Sequence, residues 1–447
     1  MADYRSVADA VAADIAAGRL GPGDRLPPQR DFAYAQSIAV STASRVYAEL
    51  TRRGLVLGEV GRGTYVRSDV GAAGATQSEP SPSVVDLQRV HSSLPEQADA
   101  LADALSALAR GGTAEAAIET AMNPCGPTGT PRARGLAAAL LACGGFAPDP
   151  DGILFTGNGR QALAASLAAL AAPGERIGCE PLTYPIVKGI AARLGIALVP
   201  LGADADGVCP DAVLQAHRSA PLAGLYLQPR LHNPLGTTMG PARRAEIAAV
   251  LEDADLVAVE DAVYGFLSDA PPLAADAPER TILVDSLSKR VMPGLSLGLV
   301  ASPSALTGRL AASIRQGGWA ALGVPLAVGM HWMSDGTAVR LAQAKRADAA
   351  ARQTIARECL AGLSIGGDPH AYHLWMELPA TWRAEAYAAA ALRRGIALTP
   401  ASVFAVQPGH APNAVRLALA SPPRRDLVPA LHTLRRLALH GDDDAIE

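Results

Sequence analysis

Cysteine is scarce in this sequence, and its placement is irregular. The 447 residues include five cysteines, and no two of them have CxxC spacing. We therefore expect neither a disulfide framework nor a metal site, and read the cysteines as reduced thiols. The sequence also lacks an uncharged apolar run long enough to cross a membrane, and its N-terminus has acidic residues where a signal peptide would be apolar. These absences predict a cytoplasmic protein.

Lysine is rarer still, because the chain contains only Lys188, Lys289 and Lys345. Arginine supplies nearly all of the positive charge. An amine can form a Schiff base with a carbonyl compound, whereas a guanidinium group cannot. Each lysine is therefore a candidate functional residue. The alternative is that all three occur where they do by chance and have no special role.

Length and charge distribution indicate two unequal parts. A chain of 447 residues exceeds one average domain, and its 49% hydrophobic and 18% charged residues are typical of a globular protein. The net charge of −4 suggests no polyanionic partner. Residues 1–67, however, hold nine arginines against seven acidic residues, so a small basic head precedes an acidic body. This asymmetry is a weak indication of nucleic-acid binding near the N-terminus.

The head has the pattern of three short helices followed by a hairpin. Apolar residues recur at helical spacing over 4–15, and a second helix fits 28–35. A third helix is predicted over 42–53, with Ser41 as its N-cap. LVLGEVGRGTYV then offers two short strands around a glycine-rich turn, which predicts a wing.

The remaining organisation follows from composition and from alternating patterns. We predict a head over 1–68, a flexible linker rich in small residues over 69–85, and a body over 86–447. Within the body, a large subdomain is expected over about 100–325 and a smaller α+β subdomain over about 330–447. Short apolar runs alternate with helical stretches, which predicts an α/β fold with a doubly wound, mostly parallel sheet. The predicted strands are 152–156, 176–180, 197–201, 224–229, 256–261, 281–286 and 297–302.

The head resembles the winged helix of the GntR regulators. The elements LPPQR, STASRVYAEL and GRGTYV occur in the order of that family. A helix N-terminus with small hydroxyl side chains can approach phosphates and base edges, and an arginine between two glycines can enter a minor groove. The alternative is a small helical cap with solvated arginines. The residues that the resemblance assigns to a double-stranded DNA operator are Arg30, Ser41, Thr42, Ser44, Arg45 and Arg62.

Three motifs with polar residues follow predicted strands of the body. They are HNPLG with Asn233, EDAVY with Asp261 and Tyr264, and DSLSK with Ser286 and Lys289. Singly, such residues are usually helix caps or core residues. In this order, at the carboxyl ends of strands, they resemble the fold type I pyridoxal-phosphate (PLP) enzymes of the aspartate aminotransferase superfamily. The resemblance extends from about residue 86 to 440.

The resemblance implies a role for each of these residues. Lys289 would hold PLP as a Schiff base, and Asp261 would keep the pyridine nitrogen protonated. Asn233 and Tyr264 would donate to the phenolic oxygen, and Tyr184 in EPLTYP would stack on the ring. The groups assigned to the phosphate are the N-terminus of a helix at Gly159 and Arg160, with the hydroxyls of Ser286 and Ser288.

Arg416 in NAVRLAL matches the family arginine that binds the α-carboxylate of an amino acid. Two positions depart from the family pattern. Ser296 stands in KRVMPGLS where the family has an arginine that pairs with the phosphate, and Pro124 stands where the family has a tyrosine. Loss of a charge-assisted contact should weaken retention of PLP, and Arg160 or Arg290 are the candidates to replace it.

A GntR-like head joined to an aminotransferase-like body resembles the MocR family of regulators. This resemblance implies a homodimer that binds PLP, DNA and a small amine or amino-acid effector. An effector changes DNA affinity only by binding two states of the protein unequally. The expected function is therefore cofactor-responsive regulation of transcription, with transamination possible as a retained activity. The alternatives are an aminotransferase with an accessory head, and a dimerisation body that binds no PLP.

Overall fold

The computed structural model describes most of the chain and divides it into two compact units. The described residues are 4–21, 24–59, 63–66, 85–110 and 125–441. The predicted linker lies outside them except for residue 85, and Arg62 and Pro124 also lie outside them. We name the units by their content. The head-and-tail unit comprises Met1–Val90, Ile355–Ile365 and Leu374–Glu447, and the sheet unit comprises His91–Thr354 and Gly366–His373.

Three helices and a small sheet form the N-terminal part of the head-and-tail unit. Strand β3 pairs antiparallel with β1 on one side and with β2 on the other. The helices pack around buried apolar side chains that include Phe32 and Tyr47, whose rings meet edge to face at 5.2 Å. The elements are α1 (Tyr4–Ala16), β1 (Arg25–Leu26), α2 (Gln29–Ala35), α3 (Val40–Arg52), β2 (Val56–Glu59) and β3 (Gly63–Val66).

The start of α3 corrects one prediction. Ala39, in extended conformation, is the N-cap, and the helix begins at Val40, so the prediction of Ser41 as the cap is wrong. The side chain of Ala39 cannot accept a hydrogen bond, so residue preference alone does not locate this terminus. Ser41 instead lies exposed in the first turn.

A seven-stranded sheet dominates the sheet unit. Its order is β5-β13-β12-β11-β10-β6-β7, and β13 alone runs antiparallel to its neighbours. This confirms the predicted doubly wound, mostly parallel sheet, in which nearly continuous apolar strands are covered on both faces. The strands are β5 (Ile153–Thr156), β6 (Arg176–Cys179), β7 (Ala197–Pro200), β10 (Gly224–Leu227), β11 (Ala258–Asp261), β12 (Thr281–Ser286) and β13 (Gly298–Ala301), and a separate hairpin joins β8 (Ala203–Asp204) to β9 (Gly207–Val208).

Helices connect the strands and bury apolar side chains against them. One core cluster includes Phe155, Leu299 and Trp332, and another includes Leu225 and Ile247. The helices are α4 (Glu96–Arg110), α5 (Pro131–Leu141), α6 (Gly159–Leu170), α7 (Pro185–Leu194), α8 (Pro210–Ser219), α9 (Pro241–Asp253), α10 (Leu273–Asp276), α11 (Leu287–Arg290), α12 (Ser304–Gln316), α13 (Gly323–Ser334) and α14 (Thr337–Cys359).

The C-terminal part of the chain forms a second, smaller α/β arrangement. Its four-stranded sheet has the order β14-β15-β18-β17, and the core beside it includes Leu87 and Tyr387. Strand β4 pairs in parallel with β16, so the segment that follows residue 84 is anchored to the C-terminal part. The elements are β4 (Val85–Asp86), β14 (Ile365–Gly366), β15 (His373–Glu377), α15 (Ala384–Arg393), β16 (Ile396–Ala397), β17 (Thr399–Pro400), β18 (Ala414–Ala418) and α16 (Arg424–His440).

The described residues contain neither a helix suited to cross a membrane nor a cluster of metal ligands. Among them, no helix combines the length and apolar character that crossing a membrane requires. The same residues contain no group of three or more histidine, cysteine or acidic side chains placed to bind a metal ion.

Candidate functional site

The polar residues predicted to form a site lie at one edge of the seven-stranded sheet. Strands β10, β11 and β12 are parallel neighbours, and Asp261 and Ser286 are the last residues of β11 and β12. The chain leaves β10 towards Asn233, which is buried and whose backbone N–H donates to Oε1 of Gln228 at 3.3 Å. Carboxyl ends of parallel strands meet at the same edge. The fold therefore gathers the three motifs, which are far apart in sequence.

Asp261 is enclosed and held by hydrogen bonds at both carboxylate oxygens, because the backbone N–H of Val263 donates to Oδ1 at 3.3 Å. Tyr226 Oη donates to Oδ2 at 2.8 Å, and Gln228 Nε2 donates to the same oxygen at 3.2 Å. Burial raises the pKa of Asp261 from 3.8 to about 6. A buried carboxylate is stabilised by an opposite charge, such as a protonated ring nitrogen. Tyr226 and Gln228 were not predicted, because polar residues within an apolar strand carry no motif of their own.

A second carboxyl group, that of Glu180, is buried behind this site. Its Oε1 accepts a hydrogen bond from the backbone N–H of Gln228 at 2.7 Å. Burial raises the pKa of Glu180 to about 8, and the nearby charge of Asp261 acts in the same direction. At neutral pH, Glu180 is therefore mostly protonated. The site then holds a single negative charge from this pair, that of Asp261.

Lys289 lies in the short helix α11, directly after β12. Its Nζ is 3.3 Å from Nδ1 of His91 and 5.8 Å from the centroid of the Tyr264 ring. Tyr264 follows β11 and is buried. His91 was missed because it belongs to no motif and precedes the lysine by 198 residues. The amine is thus placed between a histidine and an aromatic ring.

A second lysine supports the backbone of the first. Lys345 on α14 is only 1% exposed, and its Nζ donates to the carbonyl oxygens of Lys289 at 2.9 Å and Val291 at 2.7 Å. Burial lowers the pKa of this amine to about 8. Carbonyls at the end of a helix lack partners within the helix. Lys345 supplies those partners, which fixes the position of α11.

Hydroxyl groups and a helix N-terminus form an anion-binding arrangement next to Lys289. Ser286 Oγ lies 2.8 Å from Ser288 Oγ and 3.3 Å from Ser296 Oγ. Helix α6 begins opposite them at Gly159, where an added Cβ would come within 3.2 Å of Ser286 Cβ. A side chain at residue 159 would require Ser286 to shift by a few tenths of an ångström, so glycine suits this close approach. Backbone N–H groups at a helix N-terminus together with hydroxyl donors suit a phosphate group.

The two arginines considered as replacements for the family arginine differ in their contacts. Arg290 pairs with the buried carboxylate of Asp285 at 2.5 Å and lies 5.4 Å from the ring centroid of Phe266. Arg160, next to Gly159, donates through Nε to Tyr184 Oη at 3.3 Å. Its contact is with a neutral phenol. Arg160 is therefore the better candidate to attract a phosphate.

Arg416 belongs to the head-and-tail unit, on strand β18. It is 6% exposed, Nη2 donates to Thr399 Oγ1 at 3.3 Å and to the carbonyl oxygen of Gln88, and the guanidinium lies 5.0 Å from the ring centroid of Phe404. These contacts fix the orientation of the side chain. The assignment of Arg416 to an effector carboxylate remains a prediction.

The head presents one polar face of α3 to solvent. Ala43, Val46, Tyr47 and Leu50 are buried, and they share one face of the helix. On other faces of α3, Ser41, Ser44 and Arg45 are exposed and Thr42 is half-buried, and Arg30 is exposed on α2. Two exposed apolar residues, Tyr34 on α2 at 90% and Val40 at the start of α3 at 50%, were not predicted to belong to this surface.

Two family models account for the chain. Residues 85–434 match the model described as "Aminotransferase class I and II", and residues 3–66 match that of "Bacterial regulatory proteins, gntR family". Together the two matches follow the order of head and body that the sequence motifs indicated.

Three relatives are named as regulators of transcription. The uncharacterized HTH-type transcriptional regulator YdeF of Bacillus subtilis is 29% identical over 97% of this chain and 94% of its own length. The pyridoxine biosynthesis transcriptional regulator PdxR of Corynebacterium glutamicum is 27% identical over 65% of this chain and 64% of its own. The vitamin B6 salvage pathway transcriptional repressor PtsJ of Salmonella typhimurium is 25% identical over 69% and 70%.

Solved aminotransferases share the fold. An archaeal alanine:glyoxylate aminotransferase superposes with a TM-score of 0.72 over 82% of this chain and 93% of its own, at 20% identity. The α-aminoadipate aminotransferase LysN of Thermus thermophilus gives 0.70 over 84% and 98%, at 21% identity. This fold family implies pyridoxal phosphate as the cofactor. The chain belongs to the aminotransferase class I and II family and carries an N-terminal GntR helix-turn-helix domain, which is the combination found in the MocR subfamily of transcription regulators.

Proposed function

We propose that the chain is a PLP-responsive regulator of transcription, in which Lys289 holds the cofactor and the head binds operator DNA. The observation that carries the proposal is the position of the Lys289 amine at the same sheet edge as a buried carboxylate and a cluster of three serine hydroxyls. Because the same chain carries a basic winged helix, binding of a ligand at this site can regulate binding of DNA.

The described residues fit PLP chemically. Asp261 is buried and presents a carboxylate that a pyridinium nitrogen would neutralise, and the N-terminus of α6 at Gly159 packs closely against Ser286, so that its backbone N–H groups and the serine hydroxyls could bind one phosphate. Ser288 and Ser296 add hydroxyl donors to Ser286. When bound, PLP supplies an electrophilic carbonyl carbon and an electron-withdrawing ring.

The other residues of this site position the cofactor and exclude water from it. Asn233 and Tyr264, both buried, would donate to its phenolic oxygen, and Tyr184 would stack on its ring. Tyr226 and Gln228 keep Asp261 in one orientation. Because Lys345 anchors the carbonyl of Lys289, the amine of Lys289 can move only through its own side-chain torsions.

The head would bind double-stranded DNA in the cytoplasm through α3 and the arginines near it. Ser41, Thr42 and Ser44 would approach phosphates and base edges, while Arg30, Arg45 and Arg62 would contact the backbone or a groove. A homodimer would present two heads to two half-sites. An amino-acid effector bound through Arg416 would change DNA affinity by favouring one state of the dimer.

Titration with PLP followed by borohydride reduction tests the cofactor role. We expect a visible absorption band in the wild-type protein, with the reduced adduct located on Lys289 by peptide mass spectrometry. The Lys289→Met variant should lose the band, and the matched Lys188→Met variant should keep it. Absence of any band or adduct in the wild-type protein would refute PLP binding and leave a DNA-binding protein with a scaffold body.

Selection from a pool of random DNA duplexes, with and without PLP, tests the regulatory role. We expect a recovered sequence whose affinity changes when PLP or an added amino acid is present. Steady transamination of two substrates, together with DNA binding that no ligand changes, would instead support an aminotransferase with an accessory head.

A further inference from the structure

The environment of the Lys289 amine contains a residue to which the family pattern assigns no role. His91 is half-buried at the start of the sheet unit, and its Nδ1 lies 3.3 Å from Nζ of Lys289. This separation is within the looser range of proton-transfer contacts in proteins without ligand. Since Nζ is the atom that reacts with a carbonyl group, His91 touches a reacting atom.

The segment that carries His91 is fastened to the same backbone that carries Lys289. Gln97 Oε1 accepts from the backbone N–H of Leu94 at 2.6 Å, and its Nε2 donates to the carbonyl oxygen of Val291. Lys345 donates to that same carbonyl oxygen and to that of Lys289. The segments that carry the histidine and the lysine are therefore hydrogen-bonded to the same stretch of backbone, and their contact follows from the packing of the sheet unit.

The chemistry of the two side chains is complementary. A lysine amine is protonated near neutral pH and must lose a proton before it can attack a carbonyl carbon. An imidazole accepts and returns a proton in this pH range. Tyr264, a further titratable residue near Nζ, has its ring centroid 5.8 Å away.

We propose that His91 is a catalytic acid–base residue for the capture of a carbonyl cofactor by Lys289. This inference rests on the proposed PLP function. His91 takes a proton from the Lys289 ammonium group, and the freed nitrogen lone pair forms the bond to the carbonyl carbon while the carbonyl π pair moves to oxygen. A proton moves from nitrogen to that oxygen, His91 returns its own proton there, and water leaves. The product is a protonated carbon–nitrogen double bond, so that atoms and charge balance.

Stopped-flow mixing of the full-length protein with PLP tests the proposal. His91→Asn keeps a hydrogen-bond acceptor near the position of Nδ1 but cannot carry a proton in this range. We expect its capture rate to fall at least about tenfold, since general acid–base catalysis contributes about 10²–10⁴-fold. The equilibrium affinity for PLP should stay within about threefold, because a catalyst changes both directions equally. His410→Asn, at an exposed histidine of the other unit, should match the wild type.

Chemical rescue separates proton transfer from packing. The His91→Gly variant should capture PLP slowly, and added imidazole should restore the rate in proportion to its concentration. Unchanged rates in His91→Asn would overturn the role of His91. Parallel losses of rate and affinity that imidazole does not restore would assign His91 to packing and also overturn it. If wild-type Lys289 captures no PLP, the proposed function itself fails, a result that the wild-type titration identifies separately.

Discussion

Replacing Ser296 with arginine should tighten PLP binding. Ser296 occupies the position at which the aminotransferase pattern has an arginine, and its Oγ lies 3.3 Å from Ser286 Oγ among the hydroxyls opposite α6. The residue is half-buried, so a longer side chain at this position can extend partly into solvent. Arg290 is paired with Asp285, and this leaves Arg160 as the cation beside the helix N-terminus. An added guanidinium at residue 296 would therefore supply a missing charge.

Two opposing free-energy contributions determine how much the affinity for PLP should increase. A hydrogen bond to a charged group contributes about 1.5–3 kcal/mol, while ordering an arginine side chain costs up to about 2 kcal/mol. The remainder is about 1 kcal/mol, or about fivefold in Kd, since about 1.4 kcal/mol corresponds to tenfold. Absorbance titration of Ser296→Arg with PLP measures this change. The gain should shrink at high salt, because part of the contact is exposed to solvent.

Two controls make the result specific to the phosphate. Pyridoxal has the same ring and carbonyl group without the phosphate, so its affinity should be the same in Ser296→Arg and in the wild type. Pro293→Arg adds the same charge at an exposed position of the same loop and should leave the Kd for PLP nearly unchanged. An unchanged Kd for PLP in folded Ser296→Arg, or an equal gain for pyridoxal, would show that residue 296 does not face the phosphate.

Three further predictions concern stability and DNA binding. Lys345→Met should lower the free energy of unfolding by about 2–3 kcal/mol, measured by urea denaturation, because two buried carbonyls lose a charged donor. Burial raises the pKa of Glu180 from 4.5 to about 8, so the folded state binds this proton more tightly than the unfolded chain does. The resulting contribution to the free energy of unfolding is fully present below about pH 4.5 and is lost as the pH rises through 8. The urea midpoint of Glu180→Gln should therefore fall less between pH 5 and 8 than that of the wild type, and an identical fall would contradict this. Arg45→Ala should weaken binding to a selected DNA duplex and reduce the slope of log K against log salt by about 1, as loss of one phosphate contact requires.

The sheet and the core of the site could be predicted because their signals are local. Most strands of the seven-stranded sheet are short buried runs rich in apolar residues, and the predicted 281–286 coincides with β12. Asp261 and Ser286 are the final residues of their strands, so an apolar run that ends in a polar residue locates both. Parallel pairing then brings these ends together without further information from the sequence.

The contacts that refine the site are tertiary and leave no local signal. His91 reaches Lys289 across 198 residues of sequence, and Lys345 reaches it across 56. Neither belongs to a periodic pattern or to a motif, and a single histidine or lysine is usually solvated. Tyr226 points from an apolar strand to Asp261, where the pattern indicates only a core position. Such partners become visible only when the fold is known.

The scarcity of lysine has a physical explanation at the two positions next to the site. In the proposed function, Lys289 must be an amine to react with a carbonyl group. Lys345 lies where two carbonyl oxygens converge on one nitrogen atom at 2.9 and 2.7 Å, a geometry that suits a compact ammonium group with three donors. The planar fork of a guanidinium directs its five N–H groups apart and would leave some of them buried without acceptors. Arginine can therefore replace lysine over most of this chain, but not at these two positions.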